Sequence, residues 1–127
     1  MVVDDFGPWR RFLNTLMVVT PEWQISSEAA NGAEALEKAQ ESVPDLVLLD
    51  IDLPDINGIE LARQLRIVVP NAKIIFLTTE FTPEVVTAAL ETGALGYLLK
   101  SQVVGELLPA LKSVFAGKIF LSQGIQF

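Results

Sequence analysis

The sequence predicts an α/β domain, a parallel sheet wound on both sides by helices. Three observations predict it. Residues 46–49 and 73–77 are short, almost wholly apolar runs, as strands covered on both faces are. Stretches with apolar residues at helical spacing alternate with such runs along the chain, the order that right-handed βαβ units produce. Half of the residues are apolar and mean hydropathy is +0.42, yet no apolar run is long enough to cross a bilayer.

Each element has its own signal. Met1, Val2 and Val3 form an apolar stub before Asp4 and Asp5, a first strand that reads as clipped. Gly7 and Pro8 start a helix in which Trp9, Phe12, Leu13, Leu16 and Met17 recur at helical spacing, and Thr20-Pro21 ends it. Residues 23–26, Trp-Gln-Ile-Ser, read as a short second strand near a sheet edge. Asn31-Gly32 is a turn, and the Ala- and Glu-rich stretch 33–41 is a helix stopped by Val43-Pro44-Asp45. The third strand, 46–49, runs into Asp50 and then into a loop shaped by Pro54, Asp55, Asn57 and Gly58. A helix over 58–68 carries Ile59, Leu61, Ala62 and Leu65 inward. The fourth strand, 73–77, ends at Thr78-Thr79-Glu80, and Thr82-Pro83 opens a helix that stops at Gly93. The fifth strand, 95–99, ends at Lys100. A last helix over 104–115 contains Pro109, which predicts a late start or a kink. Residues 118–127 are an apolar tail without a clear partner, able to cover the sheet or to pair with another chain.

Bulk properties narrow the function. The 127 residues suggest one domain spanning 1–127. Asp4 and Asp5 stand where an export signal needs basic charge, so a cytoplasmic location without membrane attachment is expected. The chain has no cysteine and no histidine, which excludes disulfides, thiolate metal sites and a Ser-His-Asp triad. A net charge of −7 argues against direct nucleic-acid binding by this chain.

The chemistry lies in what the strand ends share. Asp4 and Asp5 follow the first strand, Asp50 the third, Thr78 the fourth and Lys100 the fifth. In a parallel sheet these ends line one edge, where ligands of open α/β sheets bind. Carboxylates gathered there repel unless a cation sits among them, and oxygen donors point to Mg²⁺ rather than zinc. A lysine and a hydroxyl beside them can hold phosphoryl oxygens, and a carboxylate beside Mg²⁺ is a competent phosphoryl acceptor. Any one of these residues alone is ordinarily a turn former, a helix cap or a solvated side chain, and Tyr97 alone is ordinarily core. The specificity is in the conjunction.

That conjunction resembles the receiver domain of two-component response regulators, along essentially the whole chain. The residues that carry the resemblance are Val2-Val3-Asp4-Asp5, the run from Leu48 to Pro54 with Gly58 after it, residues 75–79, and the run from Gly93 to Lys100. It implies a flavodoxin-like (βα)5 fold with strand order 2-1-3-4-5. It implies that Asp50 accepts a phosphoryl group from a sensor histidine kinase, and that Asp5, Asp50 and the backbone carbonyl of Asp52 bind Mg²⁺ while Asp4 holds a ligand water. Thr78 and Lys100 would contact the phosphoryl oxygens, and Tyr97 would swing inward as Thr78 moves, altering the face of the fourth helix, fifth strand and fifth helix. Asp52 and Glu80, each two residues beyond a site residue, would tune the lifetime of the phosphorylated form.

Lys100-Ser101, residues 106–110 and Gly117-Lys118 are similar to receivers joined to a LuxR-type helix-turn-helix. A DNA-binding output domain, absent from this chain, is therefore one expectation, and a free-standing receiver the other. The expected role is control of transcription, with a homodimer possible on phosphorylation, and not that of a stand-alone enzyme. The rival from another class is a Mg²⁺-dependent phosphatase of the haloacid-dehalogenase type, with Asp50 and Asp52 as its nucleophile and acid. A pseudo-receiver with an unused site is a further alternative.

Overall fold

The computed structural model describes residues 1–126. Short strands alternate with helices in the order β1 (Val2–Val3), α1 (Gly7–Met17), β2 (Glu28–Ala29), α2 (Gly32–Ser42), β3 (Leu46–Leu49), α3 (Gly58–Val68), β4 (Lys73–Thr78), α4 (Pro83–Glu91), β5 (Gly96–Leu99), a 3₁₀ turn (Lys100–Gln102), α5 (Val103–Phe115) and β6 (Phe120–Leu121). All ladders are parallel and the sheet order is β2-β1-β3-β4-β5-β6. This is the expected flavodoxin-like sheet with one more strand at its edge.

Alternating strand residues face opposite layers, which is why the strands read as continuous apolar runs. Val3, Val47, Leu49, Ile74, Phe76 and Tyr97 pack under α2, α3 and α4, whereas Val2, Leu48, Ile75, Leu77 and Leu98 pack under α1 and α5. Local chemistry sets the helix starts. The Asn31 side chain accepts from Glu34 N, the Asn57 side chain from Ile59 N and the Thr82 side chain from Val85 N, each satisfying a first-turn donor.

Three expectations need correction. The second strand is Glu28–Ala29, not residues 23–26. The clipped β1 offers only two residues for pairing, and they align with Glu28 and Ala29. Trp23 and Ile25 instead pack against the cluster under α1 and α5. The tail is not without a partner, because β6 lies parallel to β5, with Phe120 N donating to Leu95 O and Ser122 N to Tyr97 O. Phe127, the last residue of that tail, lies outside the described residues. Finally, of the late start or kink expected of α5, the late start is not found. The helix begins at Val103 and runs through Pro109. Pro109 and Gly105, whose carbonyl loses the corresponding bond, are both on the exposed side of the helix, where water can serve that carbonyl.

Candidate functional site

The carboxyl ends of the strands meet as the parallel topology requires. Asp4 follows β1 and is buried, Asp50 follows β3 and is 7% exposed, and Asp5 faces solvent. One carboxylate oxygen from each lies within 4.8 Å of the others. Lys100, just beyond β5, reaches across the edge. Its Nζ donates to Asp4 Oδ2 at 2.6 Å and to Asp50 Oδ2 at 3.1 Å. The remaining oxygens are held by the backbone, since Asp4 Oδ1 accepts from Phe6 N at 2.9 Å and Asp50 Oδ1 from Ile51 N at 2.7 Å. Thr78 ends β4 on the same edge, fully buried, and its Oγ1 accepts from Glu80 N at 3.2 Å.

The electrostatics follow from this packing. Burial raises the Asp50 carboxyl and the neighbouring Asp4 raises it further, to about 6, against the opposing pull of Lys100. Burial also opposes the charge on Lys100, but its hydrogen bond to Asp4 and the charge of Asp50 outweigh that and hold it above its usual value. The pocket thus keeps a carboxylate that is hard to ionise next to a lysine that is hard to deprotonate.

The loop after Asp50 is built for close approach. A Cβ at Gly58 would lie 2.0 Å from Asp50 O and 2.7 Å from Ile51 Cα, so only glycine fits. The gap lets Gly58 N donate to Ile51 O at 2.7 Å, which folds the loop back onto the site. Asp55 ties the far side of the loop to α2, accepting from Gly32 N at 2.8 Å and Ala33 N at 3.0 Å. These backbone hydrogen bonds hold the Asp55 carboxyl below its usual range.

The two tuning candidates are neighbours. Partial burial, then the charge and hydrogen bonding of Asp52, raise the Glu80 carboxyl. Asp52 itself is exposed and stands outside the cluster of Asp4, Asp5 and Asp50. Tyr97 is fully buried, its ring 6.2 Å from that of Phe76, and its hydroxyl donates to Glu80 O at 2.6 Å. Burial pushes its phenol well above the usual range. The ring is thus already turned inward, anchored on the loop that follows Thr78.

Two residues that support the site were read from the sequence only as parts of a helix. Arg10 Nη1 donates to Asp4 O at 2.5 Å while its Nε donates to Glu28 Oε1 at 3.0 Å, which pins the residue after β1 to the first residue of β2. Trp9 lies beside Lys100. The available signal was position, because both fall in the first turn and a half of a helix that starts immediately after Asp4 and Asp5.

Mg²⁺ fits this donor set. The three gathered side chains supply only hard oxygen donors, and one of them, Asp5, is open to the water that Mg²⁺ retains. Asp52, the acid of the dehalogenase-type phosphatase alternative, is exposed and stands outside the cluster, so the geometry gives that reading no support.

The profile of the response regulator receiver domain matches residues 1–112. The nitrate/nitrite response regulator protein NarL of Escherichia coli is 34% identical over 125 residues, 98% of this chain and 58% of that protein. The DNA-binding transcriptional activator DevR/DosR of Mycobacterium tuberculosis is 38% identical over 120 residues, 94% of this chain and 55% of that protein. Among solved structures, a two-component response regulator of the LuxR family from an Aurantimonas species superposes with a TM-score of 0.92 at 34% identity, covering 98% of this chain and 89% of that one. The chain spans little more than half the length of these two curated relatives. With family profile, relatives and solved neighbours in agreement, the chain belongs to the receiver domains of two-component response regulators.

Proposed function

We propose that Asp50 is the phosphoryl acceptor of this receiver and that a sensor histidine kinase is the donor. The observation that carries the reading is the buried Asp50 carboxylate, bonded to Lys100 and clustered with Asp4 and Asp5 at the strand ends. A carboxylate oxygen of Asp50 forms the new P–O bond, and the P–N bond to the kinase imidazole breaks, with the leaving imidazole taking its proton from solvent. Asp5, Asp50 and the Asp52 carbonyl would hold Mg²⁺, with Asp4 beside them. Bound there, Mg²⁺ neutralises charge that develops on the transferring group. Lys100 holds a phosphoryl oxygen, trading part of its bond to Asp50 for it.

Thr78 supplies the switch. Its hydroxyl accepts from Glu80 N, which leaves its own proton free to reach a phosphoryl oxygen. Movement of Thr78 carries the loop through Glu80, and Tyr97 is bonded to the carbonyl of Glu80. The phosphoryl group therefore biases the ring of Tyr97 and, through it, the face made by α4, β5 and α5. The output is transcription, carried by a helix-turn-helix segment outside these residues that binds the DNA, with a phosphorylation-dependent homodimer as the active form. The receiver works in the cytoplasm as a signalling component rather than a stand-alone enzyme. Asp52 and Glu80, two neighbouring acids that follow Asp50 and Thr78 in the chain, set how readily water attacks the aspartyl phosphate.

A single experiment tests acceptor and tuning together. The chain is incubated with acetyl phosphate and Mg²⁺, and intact mass is followed through uptake and decay. Wild type gains one phosphoryl group and Asp50→Asn gains none; uptake by Asp50→Asn overturns the assignment. The pair Asp52→Asn with Glu80→Gln changes the decay rate severalfold, and an unchanged decay rate removes the tuning role.

A further inference from the structure

Lys100 is attracted by a third group that is not a carboxylate. Its Nζ lies 5.1 Å from the centroid of the Trp9 ring, a distance at which an ammonium is drawn to the face of an indole. Trp9 stands in the first turn of α1 and stacks on Phe12, with centroids 5.3 Å apart and planes at 29°. Its ring is therefore backed by a second ring and cannot drift from the lysine without disrupting that stack. The indole N–H is buried and has no hydrogen-bond partner among the described residues. An orphaned donor is a cost that a phenyl or aliphatic side chain would not incur. Packing alone does not account for an indole here, whereas its electron-rich face, the strongest of the aromatic side chains for a cation, does.

The lysine has need of such a partner. It is drawn into the pocket by Asp4 and Asp50, and on the reading proposed above these carboxylates also serve a divalent cation. A cation among them weakens their pull on a nearby ammonium. The lysine stem is long and flexible, and Lys100 is half-buried, so water competes for its charge. The quadrupole of a ring is not neutralised by Mg²⁺.

We propose that Trp9 is a positioning residue. Its face keeps the Lys100 ammonium at the pocket when the carboxylates are engaged by the cation, so that Lys100 is in place for the phosphoryl group. This inference rests on Asp50 being the acceptor.

The test compares Trp9→Phe, which keeps a ring, with Trp9→Met, which keeps apolar bulk without one. Calorimetry measures Mg²⁺ affinity first, then beryllofluoride affinity at saturating Mg²⁺, and thermal melting follows the fold. Trp9→Met lowers beryllofluoride affinity about threefold to tenfold. Trp9→Phe recovers most of that loss, and Mg²⁺ affinity changes by less than about twofold in both. Equal beryllofluoride affinities for the two variants overturn the proposal, as does a parallel fall in Mg²⁺ affinity and melting temperature. A variant-free measurement stands beside these in case Trp9→Met does not fold. In wild type the Lys100 Cε protons carry an upfield ring-current shift that persists at saturating Mg²⁺, and its absence overturns the proposal. If wild type itself does not bind beryllofluoride with Mg²⁺, the acceptor reading fails instead.

Discussion

At the scale of single residues, the site works by placing charges where they are uncomfortable. As the proposed acceptor Asp50 would attack phosphorus in its ionised form, yet burial and Asp4 raise its carboxyl to about 6 against the pull of Lys100. A carboxyl raised above its unfolded value of about 3.9 favours the folded state below that value, and the contribution is lost as pH rises through about 6. Without divalent cation, the folded state therefore loses stability from this group between about pH 4 and pH 6. Asp50→Asn removes the loss, so at pH 7 the variant is more stable than wild type by about 2 kcal/mol, and at pH 4 the two coincide. Urea unfolding of both proteins across that range checks this. A constant difference at all pH values would show that Asp50 is not the titrating group. The residues of the cluster were all legible in the sequence, because each follows an apolar run and parallel strands bring such positions together. Trp9 and Arg10 were not recognised as supports. Apolar and basic residues in a helix look alike whether they face core, solvent or another element's side chain, and only the close seating of α1 on the strand edge assigns them.

At the scale of elements, the long runs read correctly and the short ones did not. Strands β3 and β4 are buried on both faces, so their composition alone marks them. The two residues of β2 carry no such mark, and their place is decided by what β1 can pair with. Gly58 shows how backbone geometry escapes a sequence reading. It was visible as loop punctuation, but its contact with Asp50 O belongs to the fold. Helix α5 shows the reverse case, where a strong local rule gave way to tertiary packing. Val103, Leu107, Ala110, Leu111 and Val114 are buried along one face of that helix, and this burial holds it together across Pro109. Pro109→Ala restores a backbone donor on the exposed side and relieves the ring's clash with the preceding turn. The expected gain is about 1–3 kcal/mol, read as a rise of several degrees in melting temperature. An unchanged melting temperature would mean that the helix has already absorbed the proline without cost.

At the scale of the whole molecule, the last strand closes an edge that the alternating pattern leaves open. Ser122 is buried, and its Oγ accepts from Leu99 N at 2.8 Å and donates to Glu106 Oε1 at 2.5 Å. Glu106 Oε2 also accepts from Gln123 N at 3.0 Å. The tail is thus clamped to both β5 and α5. Its partner was illegible in the sequence because a two-residue strand is recruited by the edge beside it and not by its own pattern. Ending the chain at Gly117 uncovers the outer edge of β5 and leaves Leu99 N without its acceptor, at a cost of about 1–3 kcal/mol for that group alone. The shortened protein melts earlier and self-associates with rising concentration, measured by sedimentation. A monomer of unaltered melting temperature would assign the tail no structural role.

Strand β6 also decides where the polypeptide leaves the domain. Helix α5 delivers the chain to the end of the sheet away from the carboxylate cluster, and β6 carries it back, so that Gly124 and Gln126 line one pocket with Thr79, Glu80 and Phe81. A dye attached at Gln126 therefore sits across that pocket from the loop that follows Thr78, where it would report the displacement that the proposed phosphorylation causes.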